Sequence, residues 1–213
     1  MERCFLPEIM DGPGLPDDVV AEVQRNLARV HRCLGNTRAI LTAIARDPMP
    51  VVTVMDLGCG DGALLARVRD RLRKQVIGLD LRSPPRPEIP VVRADVVRDE
   101  LPKSDVAVAV VVAHHLRDDD VILMIRNVGR SCRRLILLEL VRHPLPLALF
   151  RTFVTPWVDP ITASDGMRSI RRAYTPAEFR ALVARALAGT PARFSHRVAP
   201  LYMRQIVDIT YSC

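Results

Sequence analysis

Residues 51–57, VVTVMDL, run directly into GCGDG and then into a helical pattern, ALLARVRDRL. An apolar, partly β-branched run of that length is too short for a helix and reads as a buried strand. The glycines Gly58, Gly60 and Gly62 then permit backbone conformations and close approaches that a Cβ would forbid. Strand, glycine turn and helix in that order make the first unit of an open α/β sheet. In such sheets ligands collect beyond the carboxyl ends of the strands, near the switch in strand order, so the turn also marks a candidate binding site.

The rest of the chain repeats the theme. QVIGLD, PVVRAD, DVAVAVVVAHH and RRLILLELV are continuous apolar runs, which predict strands buried on both faces as in a parallel sheet covered by helices. A helix is predicted over 16–34, where Val19, Val23, Leu27, Val30 and Leu34 recur at helical spacing, Asp17 and Asp18 favour the first turn, and Gly35 supplies a stop. A second, capped by Asn36, carries Ile40, Leu41 and Ile44; others follow the first strand and cover DDDVILMIRNVGR. In TPAEFRALVARALAG, Thr175 and Glu178 form a capping-box pattern, with Pro176 in the first turn and Gly189 at the stop. ARFSHRV and LYMRQIVDI read as a hairpin around Pro200, whereas LRSPPRPEI is too short and proline-rich for much of a helix. The expected class is α/β: a mainly parallel seven-stranded sheet with helices on both faces and a C-terminal antiparallel pair.

Composition bounds the function. A chain of 213 residues, 49% hydrophobic, suits one packed domain. It lacks the ~20 unbroken apolar residues of a membrane span, and MERCFLPEIMDG does not have the basic-then-apolar form of a signal peptide. A soluble, cytoplasmic protein is expected. Cys4, Cys33, Cys59, Cys132 and Cys213 are odd in number and scattered without a C-x-x-C, so neither a disulfide framework nor a metal site is indicated and core thiols are expected. The net charge of +7 comes almost wholly from arginine spread along the chain, and aromatics are only 4%. Nucleic-acid binding, which favours a basic stripe with stacking aromatics, is therefore the weaker reading.

Three ligands compete for the glycine turn. A triphosphate needs G-K-[ST], but Gly62 is followed by Ala63. A dinucleotide has some support, since Gly58, Gly60 and Ala63 satisfy G-x-G-x-x-A and Asp80 stands where a ribose-binding acid is expected. Against it, Asp56 beside the glycines would repel a pyrophosphate. A cationic ligand without phosphate would instead be favoured by that acid. DLGCGDG, followed by VIGLD, RADV and VAHHL, resembles the ordered motifs of the class I, Rossmann-like S-adenosylmethionine-dependent methyltransferases over about residues 51–116. The resemblance implies a cofactor site of Asp56, Gly58, Cys59, Gly60 and Gly62 on the turn, Asp80 and Leu81 at the ribose, Asp95 and Val96 near the adenine amine, and Ala113 at the fourth strand.

PEIMDGPGLP, NLARVHRCLGNTRAIL and SDGMRSIRRAYTPAEF look like small bacterial methyltransferases of polyketide or quinone-type biosynthesis. That likeness implies an N-terminal helical lid over 1–48 on a core of 49–213, with an apolar insertion at about 143–174. Arg38 then has two readings, a contact to the methionine carboxylate or a solvated helix arginine.

Methylating a phenol of pKa ~10 needs about 4 kcal/mol of ionisation at pH 7, so a base is useful. His114 and His115, in AHHL at the end of the fourth strand, are the candidates; their other reading is as caps of that strand, and strand alternation lets only one reach the substrate. Glu139 inside RRLILLELV has two readings, facing the cofactor edge or, as the expected one, pairing with an arginine. LPLALFRTFVTPWV reads either as a core helix or as the wall of an apolar acceptor pocket formed by Phe150, Phe153 and Trp157 with Met10 and His143. SDGMRS, at 164–169, reads as a turn. The resulting expectation is O-methylation of a small, phenolic or enolic acceptor. C-methylation of a quinone precursor, an RNA or protein substrate, and a non-catalytic cofactor-binding module are the alternatives.

Overall fold

The computed structural model describes residues 1–12, 14–82, 84 and 87–212. Its strands are β1 (Thr53–Leu57), β2 (Gln75–Asp80), β3 (Val91–Arg93), β4 (Ser104–Val110), β5 (Cys132–Glu139), β6 (Arg193–Val198) and β7 (Gln205–Thr210), and they form one sheet in the order β3-β2-β1-β4-β5-β7-β6. All pairings from β3 to β5 are parallel, and β7 pairs antiparallel with both β5 and β6. The helices are α1 (Asp17–Cys33), α2 (Asn36–Ala45), α3 (Ala63–Leu72), α4 (Asp118–Val128), α5 (Pro144–Phe153), α6 (Pro160–Arg172) and α7 (Pro176–Leu187). None of those described is long and apolar enough to cross a membrane.

Strand alternation divides the core. Met55, Leu57 and Leu79 face one layer with α4 and α7, while Val54, Val106, Val108 and Ile136 face the other with α3. Ile40 and Ile44 of α2 are buried in that second layer, so α2 is part of the covering of the sheet. The strand order reverses between β1 and β4, and this opens the crevice in which the site is found.

Several local expectations need correction. SDGMRS is not a turn but the middle of α6, because Asp159 caps that helix through the amides of Ile161 and Thr162 and Pro160 starts it. Its glycine is a packing glycine: a Cβ on Gly166 would stand 2.3 Å from Phe150 Cζ. Gly35, in the left-handed region, precedes α2, and Asn36 turns its side chain to His31 and Arg204 instead of capping. LPLALFRTFVTPWV is not a core helix, since α5 fully buries only Pro146 and Phe153 and Trp157 are exposed. Of the cysteines expected in the core, Cys59 and Cys132 are buried, Cys4 is half-buried and Cys33 is exposed. Cys213 lies outside the described residues, as do Ser83, Pro85 and Arg86 of LRSPPRPEI. The neighbours of that gap, Leu81, Arg82, Pro84 and residues 87–90, are not helical.

Gly166→Ala should lower the unfolding free energy by about 1–3 kcal/mol through overpacking against Phe150. Urea unfolding checks this, and pairing the change with Phe150→Leu should restore part of the loss.

Candidate active site

The glycine turn leaves β1 with three positive φ angles, 70° at Gly58, 55° at Gly60 and 80° at Gly62. Two of these glycines are also steric necessities. A Cβ on Gly58 would lie 2.7 Å from Val112 Cγ2 beyond β4, and one on Gly62 would lie 2.3 Å from Ile89 Cγ1. A Cβ on Gly60 would meet, among the described residues, Gln24 Nε2 of α1 at 4.0 Å, so a side chain here is not excluded by contact. The turn is stitched to the end of β2: the amides of Gly58 and Cys59 donate to Leu79 O, and the Gly60 amide donates to Asp80 Oδ2 at 2.9 Å.

Asp56 is buried in β1, and its Oδ1 has no hydrogen-bond partner. Burial, reinforced by the charge of Asp80, raises its pKa well above the usual carboxylate range. An orphaned acid at the root of a turn that a Cβ would fill suits a ligand with positive charge and suits a pyrophosphate poorly, so the residues fit S-adenosylmethionine. Leu81 is exposed at the end of β2, Val96 and Ala113 are buried along the crevice, and Asp95 is half-buried and paired with Arg98. Burial works against the Asp95 charge, but Arg98 and the Val97 amide hold its pKa down. Arg38 is exposed on α2 and lines an open depression with Arg32, Arg67 and Arg71. Among the described residues no hydrogen bond or ion pair links it to the turn.

Two residues beyond Val112 the chain holds the histidines. They are not in β4 but in a 3-10 turn, Ala113–His115, entered through Val111 at φ 60°. The expected separation to opposite faces therefore fails: the two rings lie 4.2 Å apart and address one cluster. His114 is buried, with Nδ1 3.0 Å from Glu139 Oε1 and its amide donating to Glu139 Oε2. The partner of Glu139 is thus a histidine and not the expected arginine. On the other side, Nε2 of His114 lies 3.4 Å from Glu8 Oε1, an ion-pair contact without hydrogen-bond alignment. Burial opposes a charge on His114, but Glu139, then Glu8, overcome it and raise its pKa to about 9. Both acids titrate below their ordinary range: burial works against this, but His114 holds Glu139 down, and His114 with His115 does the same for Glu8.

His115 is partly exposed, its Nδ1 3.3 Å from Asp11 Oδ2 and its Nε2 3.8 Å from Glu8 Oε1. Arg172 of α6, also buried, reaches toward both Glu8 and Asp11. The N-terminal segment that brings these acids is held from two sides. Asp165 accepts from the amides of Ile9 and Met10, while Arg82, just past Asp80, donates to the carbonyls of Met10 and Asp11.

The glycine turn and the histidines leave the neighbouring strands β1 and β4 at the same end of the sheet. Glu8 and Asp11, in PEIMDGPGLP, and Ser169 and Arg172, in SDGMRSIRRAYTPAEF, are marked in the sequence only by the resemblance of those stretches and carry no role there; the return of the N-terminus across α6 brings the two pairs together. Of the proposed acceptor residues, Met10 borders the cluster, but Phe150 packs on Gly166, and His143 caps α5 and stacks on Tyr202 at 4.2 Å. Phe153 and Trp157 face solvent away from the core.

A model of the O-methyltransferase domain matches residues 17–186. None of the curated proteins compared with the sequence matches it. Among solved structures, the plantazolicin methyltransferase BpumL in complex with SAH is 11% identical, with a TM-score of 0.66 over 89% of this chain and 90% of that one. Magnesium protoporphyrin IX methyltransferase (ChlM) from Synechocystis PCC 6803, with bound SAM, is 18% identical, with a TM-score of 0.56 over 96% and 88%. The mitomycin 7-O-methyltransferase MmcR is 21% identical, with a TM-score of 0.57 over 87% of this chain and 56% of that one. Such identities establish a shared fold, and the family match extends it to chemistry: the chain belongs to the O-methyltransferase domain family and is an S-adenosylmethionine-dependent methyltransferase.

Proposed function

We propose that this enzyme methylates a phenolic or enolic oxygen of a small acceptor, with His114 as the base. The observation that carries the reading is the His114–Glu139 pair, buried beside the glycine turn at the end of β4. When bound, S-adenosylmethionine supplies a methyl group on a positively charged sulfur, a good leaving group. The chain's task is to align an oxygen with that group, exclude water and remove one proton. Glu139 accepts the Nδ1 hydrogen of His114, which leaves Nε2 as the nitrogen that takes the acceptor's proton. The carboxylates that stabilise the imidazolium bring its pKa within about one unit of a phenol, so the transfer between them costs roughly 1.4 kcal/mol once the base is neutral. Asp56, Gly58, Cys59, Gly60 and Gly62 would receive the cofactor, with Asp80, Leu81, Asp95, Val96 and Ala113 around its nucleoside. α1, whose Gln24 overlies Gly60, and residues 1–12 would then serve as the lid in place of the whole 1–48 segment.

Because the base works neutral and the free enzyme holds His114 at about 9, kcat/KM should rise nearly tenfold per pH unit from pH 6 and level off near 9. A profile flat across that range would remove His114 as base and favour a carboxylate acceptor. Glu139→Gln should move the NMR-detected titration of His114 down toward or below its ordinary 6.5, since burial then prevails. His114→Gln should lower kcat by about 10²–10⁴ while SAH still binds.

On the cofactor side, Asp80→Ala should weaken SAH binding by roughly tenfold or more, the worth of a lost charged hydrogen bond. Calorimetry measures it, and an unchanged affinity would exclude Asp80 from the cofactor.

A further inference from the structure

Glu8 sits in a place built for an anion. Its Oε1 lies 2.7 Å from Ser169 Oγ, 3.4 Å from His114 Nε2, 3.8 Å from His115 Nε2 and 3.9 Å from Arg172 Nη1. His114, Ser169 and Arg172 are themselves buried. Among the described residues only Ser169 forms a good hydrogen bond to this oxygen, and His114 Nε2 and Arg172 Nε and Nη1 have no hydrogen-bond partner. Leaving buried donors unbonded costs about 1–3 kcal/mol each, more when they are charged. The carboxylate fills the cradle by charge and leaves its donors incompletely used.

The holder of that carboxylate is a segment without regular structure: residues 1–8 form neither helix nor strand. Its first residues are tied down by Arg142 to Met1 O, by Arg3 to Arg172 O and Asp118, and by the Cys4 amide to Arg171 O. Around Glu8 the ties are discrete polar contacts, from Arg168 to Pro7 O, from the Ile9 and Met10 amides to Asp165, and from Arg82 to Met10 O. The cradle lies next to the cofactor turn, because His114 follows directly on the segment whose Val112 packs against Gly58.

We propose that this cradle is the acceptor's anion subsite and that Glu8 is a built-in stand-in for the acceptor: the acceptor oxygen, ionised by proton transfer to His114, takes the place of the Glu8 carboxylate against Ser169, His114 and Arg172. The proposal rests on the function given above and deepens it. The contact between Glu8 and the His114 imidazolium has the charge arrangement that proton transfer from an acceptor hydroxyl to His114 would create. Arg172 and the Ser169 hydroxyl then stabilise the acceptor's oxyanion, so Ser169 and Arg172 bind the acceptor and Glu8 sets the threshold for its entry.

A metal ion is the competing occupant, since ligand atoms of Glu8, His114 and His115 lie within 4.8 Å of one another. Each histidine also has its second nitrogen on a carboxylate, as zinc ligands commonly do. The surroundings favour the anion: a hydroxyl donor and a guanidinium converge on the same Glu8 oxygen, where they would compete with a cation.

The test uses benzoate as the probe, titrated by calorimetry into the intact protein, into Glu8→Ala and Glu8→Gln, and into Glu8→Ala with Arg172→Met, each with and without SAH. Benzoate should bind both Glu8 variants at least tenfold more tightly than the unaltered chain, and Arg172→Met should abolish the gain. Should the variants fold poorly, the unaltered protein suffices, because saturating benzoate should speed hydrogen exchange at the Ile9 and Met10 amides. Equal affinities, a gain that survives Arg172→Met, or unchanged exchange at saturation would overturn the subsite. So would zinc raising the Tm of the unaltered protein and losing that effect in Glu8→Ala. Failure with normal SAH binding and normal turnover of a phenol overturns the subsite alone, whereas absent turnover with benzoate bound as expected overturns the proposed reaction.

Discussion

The parallel pairing of β1 with β4 is the constraint on which everything else rests. Val54 to Leu57 lie in register with Val106 to Ala109, so the two strands end side by side where the strand order reverses. The chain leaving β1 turns back as the glycine loop, and the chain leaving β4 turns as the histidine loop. Val112 fills the space that a side chain on Gly58 would need. The glycine loop and the histidine loop are thereby fixed edge to edge by the backbone hydrogen bonds of the strands and by van der Waals contact.

How far this was legible in the sequence depended on the range of the forces involved. Strand placement rests on apolar runs and glycine stops, which are local; β1, β2 and β5 were found where expected, while β4 stops at Val110 and β7 begins only at Gln205. The capping box of Thr175 and Glu178 is equally local and forms as read. Errors came where a residue's meaning is set by a distant neighbour. Gly166 looks like a turn residue until the ring of Phe150 is seen to need its missing side chain. Glu139 needed a partner, and that partner was His114 from the adjoining strand's exit, a pairing that charge alone cannot distinguish from one of many arginines. The histidines were placed on opposite faces because alternation was carried past the point where β4 stops and the 3-10 turn begins.

Buried charge is distributed unevenly. Arg134, between Asp47 and Asp208, forms a closed ion network near the far end of the sheet, with each oxygen and nitrogen at ordinary bonding distance. At the crevice, Asp56 Oδ1, His114 Nε2 and two nitrogens of Arg172 are left without hydrogen bonds. Unsatisfied buried groups are costly, and in native structures they concentrate where a ligand or a reaction later uses them. The two ends of the sheet thus differ in how completely their buried polar groups are paired.

One strap spans both halves of this crevice. Residues 7–11 are tied to Arg82 on the cofactor side and to His115, Arg172 and Asp165 on the other. A segment anchored in this way makes the two half-sites a single energetic unit, since loosening it at either end relieves the other. Linkage requires that influence to be equal in both directions. Whatever loosens the strap at Arg82 therefore also loosens it at Asp165 and Arg172, and the reverse holds equally.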